Sequence, residues 1–152
     1  MILQPNVVGV PNPVPSADSR PYWDGCAAGE LRIQRCASCG HVNVLPSRWC
    51  AACAAPSMRW VATSGSGSLY SWTVVWRPQI PAFTVPYAPA IVMLDEGAAV
   101  MSAVVGCAVD ELTDGLRLTV MFVPTDHGMV VPFFRPAATA PITVPSTTAS
   151  PT

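Results

Sequence analysis

The chain of 152 residues contains no lysine; its eight basic side chains are all arginine. That absence excludes a Schiff-base lysine and a P-loop lysine, and with them class I aldolase chemistry and Walker-type nucleotide hydrolysis by this chain. Charge of either sign is scarce: charged residues make up 11% of the sequence, against about 25% in an ordinary soluble domain. The net charge of −1 gives no basic field for nucleic acid. There are two histidines. Also lacking is an unbroken apolar run of membrane-spanning length, about 20 residues. The longest apolar stretch, 88–109, is interrupted by Asp95, Glu96 and Gly97, so no membrane span is expected. Residues 1–10 lack the basic start and apolar run of a signal peptide.

What is present is apolar, 51% of residues, with 17 prolines and six cysteines. A soluble chain so poor in charge is expected to keep apolar surface for a partner; compositional bias accounts for part of this, as the missing lysine suggests. Four of the cysteines form two knuckles, Cys36-Ala37-Ser38-Cys39 and Cys50-Ala51-Ala52-Cys53, with ten residues between them. This is the ligand spacing of a tetrahedral zinc ribbon. A disulfide pair or a thioredoxin-like dithiol would leave the second knuckle without a role. Four thiolates leave no open coordination position, so the zinc is expected to be structural. Thiolates that must stay reduced imply a cytoplasmic location.

Read along its length, the sequence predicts a mainly β protein. Residues 1–15 are proline-rich without a period and read as an extended arm. Residues 16–30 read as a helical segment, with Ser16 or Asp18 as N-cap, Pro21 in the first turn, Gly29 as the stop, and Tyr22, Trp23 and Cys26 near one face. The zinc ribbon spans 31–63, with a strand at 31–35 feeding the first knuckle and a return strand at 58–61. After the Ser64-Gly65-Ser66-Gly67 break come five strand-like runs, 68–77, 88–94, 98–106, 116–123 and 129–134. Their separators, Asp95-Glu96-Gly97, Asp114-Gly115 and Asp126-His127-Gly128, are turn chemistry. Five strands over 64–136 with little room for helices fit a five-stranded OB-fold barrel better than a seven-stranded immunoglobulin sandwich. Residues 137–152 read as a flexible or partner-bound tail.

Candidate chemistry is thin. His41 sits beside a complete four-cysteine set, so exposure or a supporting hydrogen bond is expected of it. His127 beside Asp126 lies on a tight turn, where neighbours rarely aim at one point. Asp95 and Glu96 at a hairpin tip read as a solvated turn, and Cys26 and Cys107 as small core hydrophobes. Tyr70, Trp72, Val74 and Trp76 share one face of a regular strand; Tyr70 and Trp72 are assigned to the core. Trp76, Arg77 and the stiff loop that follows, with Phe83 and Tyr87, suit an acyl-CoA: a hydrophobic or pantetheine contact with Arg77 free for a phosphate or carboxylate. A protein partner suits the same loop.

Pro-Tyr-Trp-Asp-Gly (21–25), Leu-Arg-Ile-Gln-Arg-Cys-Ala-Ser-Cys-Gly (31–40), Pro-Ser-Arg-Trp-Cys-Ala-Ala-Cys (46–53), Gly-Ser-Gly-Ser-Leu-Tyr-Ser-Trp-Thr-Val-Val (65–75), Val-Pro-Tyr (85–87) and Pro-Phe-Phe-Arg-Pro (132–136) follow one another in this order. In combination they resemble the acyl-CoA-associated OB-fold proteins with a rubredoxin-like zinc ribbon, the domain-of-unknown-function 35 family. The resemblance covers about residues 19–136. It implies a helical segment, a ribbon with Zn2+ on Cys36, Cys39, Cys50 and Cys53, and an OB barrel. Together these would serve as a non-catalytic accessory subunit of a thiolase-like or lipid-transfer-protein-like enzyme, which carries the catalytic groups. The reaction it implies is retro-aldol or thiolytic cleavage of a CoA thioester, steroid side chains included. The competing reading is a single-stranded nucleic-acid module in which Trp72 or Trp76 stacks bases. The absence of lysine and the acidic balance argue against it.

Overall fold

The computed structural model describes residues 1–138. It consists of one short helix, a three-stranded sheet and a closed five-stranded barrel. The tail expected from residue 137 lies, from 139 onward, outside the described residues.

Helix α1 (Arg20–Ala27) is shorter than the predicted segment, and its N-cap is Ser19 instead of Ser16 or Asp18. Ser16 and Ser19 bond each other, each hydroxyl accepting the other's backbone N–H (3.2 and 2.9 Å). This reciprocal turn consumes Ser16 before the helix starts. Pro21 occupies the first turn as expected. At the far end, Glu30 N–H donates to Gly25 O (2.8 Å) and Gly29 N–H to Cys26 O (3.1 Å), the paired closure of a helix that stops at glycine. The helix is too brief to be stable alone, so burial of Cys26 and packing of Tyr22 against the core must hold it.

The ribbon sheet is β2 (Val42–Asn43), β1 (Arg32–Cys36) and β3 (Met58–Ala62), all antiparallel, with Gln34 opposite both Asn43 and Trp60. The barrel is β4 (Ser66–Trp72), β5 (Ala88–Leu94), β6 (Ala99–Val104), β7 (Arg117–Pro124) and β8 (Val130–Pro136), closed in the order β4-β5-β6-β8-β7. That is an OB-fold. A single 3-10 turn, Val109–Glu111, lies between β6 and β7. The core is the inward face of these strands, Leu69, Val92, Leu94, Val104, Leu118 and Phe134, each at most 2% exposed. The closure between β6 and β8 is slight. These strands run parallel and pair at one position, Val104 with Phe134. Pro132 has no N–H to extend the ladder, and its carbonyl accepts the Ser102 hydroxyl instead (2.7 Å).

Two expectations fail here for backbone reasons. The first barrel strand ends at Trp72, not 77, and its register with β5 shifts between Leu69 and Ser71. The extra residue is Tyr70. This bulge keeps Leu69 and Trp72 on the inner face although they are three apart, and turns Tyr70 out to 64% exposure. The core assignment of Tyr70 rested on unbroken alternation and is wrong. The Asp95-Glu96 tip is a turn, as expected, exposed at Asp95, and its groups are bonded as well. Asp95 takes both arms of Arg117 at 2.8 Å, and Glu96 Oε1 accepts Ser64 N–H at 2.6 Å. The Glu96 carbonyl accepts from Arg35 of β1 (3.2 Å), so this hairpin ties the ribbon to the barrel.

The arm is extended but not free. Leu3 is buried in the core and trades backbone hydrogen bonds with Cys107 O and Gly106 N (2.8 and 2.9 Å). Asn6 bonds both the N–H and the carbonyl of Thr84. Gly9 N–H donates to Asp126 Oδ2 (2.8 Å), and Asp126 N–H to Val7 O (3.2 Å).

Candidate metal centre and adjoining cleft

The two knuckles are built alike. Cys36 N–H donates to His41 O (2.8 Å) and Gly40 N–H returns to Cys36 O (2.9 Å); Cys50 N–H donates to Ala55 O (3.0 Å) and Ala54 N–H to Cys50 O (2.9 Å). Each turn needs a left-handed residue directly after its second cysteine. Gly40 supplies φ +76° and Ala54, without glycine's freedom, φ +58°. The turns bring all four Sγ atoms within 4.8 Å of one another, with Cys36–Cys53 at 3.7 Å and Cys39–Cys50 at 3.6 Å. A tetrahedral ion at the usual Zn–S distance of about 2.3 Å requires sulfurs about 3.8 Å apart, so the cage fits zinc.

Its electrostatics are consistent with a cation. The Ser57 hydroxyl, helped by the Cys39 N–H, draws Cys36 down to about 5. For Cys39 the His41 N–H pulls downward, but Cys53, burial, Cys50 and Cys36 together push it up to about 12. Four adjacent thiolates form together only around a positive ion.

Sequence reasoning missed the residues that hold the segment between the knuckles. Gln34 Oε1 accepts Ser47 N–H (2.8 Å). Asn43 donates to Trp49 O (2.9 Å) and accepts from Ala51 N–H (3.0 Å). Both side chains are buried and so bind the 44–51 loop to the sheet without competition from water. Gln34 alternates with Ile33 and Arg35 like any strand residue, and nothing local marks it as buried.

Of the four residues considered for acyl-CoA, two come together. Phe83 and Tyr87 stack at 5.2 Å and 26° and line a cleft of about 280 Å3 between the arm, the ends of β6 and β8, and the loop. Trp76 is 64% exposed, and neither it nor Arg77, also exposed, lines the cleft. A second cleft, about 390 Å3, lies between α1, the ribbon and β6, with Tyr22, Trp23, Trp60 and Leu45 on its walls.

The remaining reactive groups are placed as expected. Cys26 and Cys107 are 1% and 2% exposed, and burial, ahead of other causes, raises the Cys26 thiol to about 11. His41 is exposed. His127 lies outside on its turn, 3.6 Å from Asp126, whose carboxylate is engaged by the arm. Among the described residues no nucleophile faces a base, and no helix is long and apolar enough to cross a membrane.

Comparison with known proteins places these features in a family context. A family model described as the ChsH2 rubredoxin-like zinc ribbon domain matches residues 23–59, and one described as the ChsH2 C-terminal OB-fold domain matches residues 60–123. The chain is 32% identical over 127 residues to a probable enoyl-CoA hydratase alpha subunit of Thermomonospora curvata, covering 84% of this chain and 40% of that protein. It is 33% identical over 113 residues to the 3-oxo-4,17-pregnadiene-20-carboxyl-CoA hydratase alpha subunit of Mycobacterium tuberculosis, covering 73% and 35%. It thus spans well under half the length of these curated relatives. Among solved structures, a chain of the Ltp2-ChsH2(DUF35) aldolase superposes with TM-score 0.76 at 31% identity, over 82% of this chain and 98% of that one. A DUF35-family protein of unknown function from Sulfolobus solfataricus, 11% identical, superposes with TM-score 0.58 over 80% and 87%, a likeness of fold alone.

Proposed function

The chain belongs to the ChsH2 family, which joins a rubredoxin-like zinc ribbon to an OB-fold, and on that footing we propose that it is a non-catalytic accessory subunit of a thiolase-like complex acting on CoA thioesters. The observation that carries this reading is the likeness to a chain of the Ltp2-ChsH2(DUF35) aldolase over nearly all of that chain. It favours retro-aldol cleavage over thiolysis as the reaction of the complex. The hydratase names of the curated relatives connect the family to CoA thioesters by a second path, one of them to a steroid acyl group.

The residues support the division of labour. A retro-aldol step needs a base to take the proton of the β-hydroxyl as the Cα–Cβ bond breaks, and an acid to protonate the enolate carbon left on the thioester. The histidines here are exposed, and the two cysteines outside the cage are buried. The chemistry therefore falls to the partner, and this chain contributes walls and a hydrophobic contact for the thioester. We assign that contact to Phe83 and Tyr87, with Trp76 and Arg77 facing outward toward the partner and the CoA phosphates. Zinc on Cys36, Cys39, Cys50 and Cys53 is structural in this reading, and the need for reduced thiolates sets it in the cytoplasm. Nucleic acid has no part in it.

Purification of the tagged protein from its native cells, with mass spectrometry of what remains bound at moderate salt, tests the reading. The expected result is a stoichiometric thiolase-fold protein whose CoA-thioester cleavage depends on this chain. Recovery of the chain alone, or with nucleic acid, or turnover by the isolated zinc-loaded chain, overturns it.

A further inference from the structure

The arm bears on the cleft beside Phe83 and Tyr87. Two sides of that cleft are barrel, Ala103 in β6 with Val105 just beyond its end, and Val131 and Phe133 of β8; the aromatic pair forms the third. The fourth is the arm itself, through Val10, Pro11 and Pro13. The segment is fixed beyond both ends of this span. On one side Leu3 is buried and backbone-bonded to Gly106 and Cys107; on the other the chain enters α1 through the Ser16–Ser19 turn. Between these anchors its polar hold on the barrel consists of Asn6 on the Thr84 backbone and of Gly9 and Val7 on Asp126. Those are exposed bonds that water can replace when the strap lifts. The closed arrangement also shuts away Asn12 Oδ1 with no donor, a cost that opening relieves.

We infer that residues 4–13 are a lid over an apolar binding cleft for a short aliphatic acyl group, latched by Asp126 and by the Asn6–Thr84 pair. The class of occupant follows from the lining and the size. Most of the polar side chains of the wall are turned to the protein: Ser102 donates to Pro132 O, Asn6 serves Thr84, Thr125 Oγ1 accepts from Met129 N–H, and Gln4 Nε2 donates to Ile2 O, which leaves the Tyr87 hydroxyl and the Gln4 carbonyl as the polar groups open to an occupant. At about 280 Å3 the cleft lies at the lower edge of the range of roughly 300–1,000 Å3 typical of drug-sized ligands, a size that suits a chain of a few carbons. The thioester attached to that chain rests on the function proposed above; the lid and the cleft rest on geometry.

Hexanoyl-CoA, with free CoA as control, tests this on the full zinc-loaded chain. Stopped-flow binding and hydrogen exchange of the arm amides are the readouts. Hexanoyl-CoA binds at least about tenfold more tightly than free CoA. Asp126→Ala speeds arm exchange and raises the association rate about tenfold, the scale of one charge-assisted hydrogen bond, and independently Asn6→Ala, which breaks a neutral pair, does so about fivefold. Ala103→Leu, which fills the cleft, weakens binding by a similar factor with zinc content unchanged. Absence of hexanoyl-CoA binding by the wild-type chain, or association rates unmoved in both latch variants, overturns the inference. Partner co-elution is scored separately. Its loss with hexanoyl-CoA binding intact removes the accessory-subunit reading and leaves the lid; the reverse removes the lid alone.

Discussion

Ala54 occupies a position whose twin in the other knuckle is a glycine, Gly40, and its φ of +58° lies in the left-handed region. That conformation costs an L-residue about 1–2 kcal/mol, and glycine's larger unfolded-state entropy returns part of it. Ala54→Gly is therefore expected to raise stability by up to about 1 kcal/mol at full zinc occupancy, read from urea denaturation. Thiol chemistry follows the same local logic. At pH 8, Cys26, raised to about 11 by burial, and Cys107, raised by burial as well, stay closed to a thiol reagent in the native protein. Chelation is expected to add the four cage thiols, and denaturant the last two. At this scale the metal ligands were legible from sequence because their spacing is local and the knuckle turn is built from the same few residues. Gln34 and Asn43 were not. Their partners lie 13, 6 and 8 residues away, and their burial arises from tertiary packing.

Elements were legible where a single period governs them. β5 was predicted at its observed bounds, because Ala88, Ala90, Val92 and Leu94 alternate inward without a fault. β4 was not, since a bulge breaks the period it was read by, and a bulge at Tyr70 depends on the partner strand. The Asp95-Glu96-Gly97 turn was recognised, but its bonds to Ser64 and Arg35 span the joint between ribbon and barrel. Burial acts first on the Glu96 carboxyl and raises it, yet the Ser64 N–H prevails and the group is held below its ordinary value. A depressed native value means that the ionised carboxylate contributes stability above its unfolded pKa, and that the contribution is lost as pH falls through the native one. Glu96→Gln is thus expected to be less stable than wild type at pH 7, with the difference shrinking as pH falls below the ordinary carboxylate range; urea denaturation across an acid series checks it. The knuckles themselves are tested by Cys36→Ser and Cys50→Ser. Structural zinc in small ribbons carries on the order of 10–16 kcal/mol of apparent binding energy. Each variant should lose stoichiometric zinc and partner co-elution together while the barrel's near-UV circular dichroism persists. Retained zinc and retained partner in both would contradict the assignment.

For the whole molecule, the fold class was legible because strand count and turn chemistry leave few closed solutions at this length. The course of the arm was not, because proline-rich sequence gives extension without direction, and Leu3 looks no different from Ile2 until the barrel supplies a place for it. The site followed the same rule. The cage came from spacing; the cleft came from four segments, 4–13, 83–89, 102–105 and 125–133, which only the closed barrel brings together.

The order of these segments has a consequence for synthesis. The ribbon strands, 32–62, are contiguous and precede every strand of the barrel. On a ribosome the cage can therefore take up its metal before β4 has emerged, and the zinc-loaded ribbon then waits outside the exit tunnel as a finished surface. Leu3 has to wait for Gly106 and Cys107, and Asn6 for Thr84. The arm is made before the ribbon and every strand of the barrel yet is among the last segments to be seated, so until then the nascent protein carries its apolar cleft uncovered.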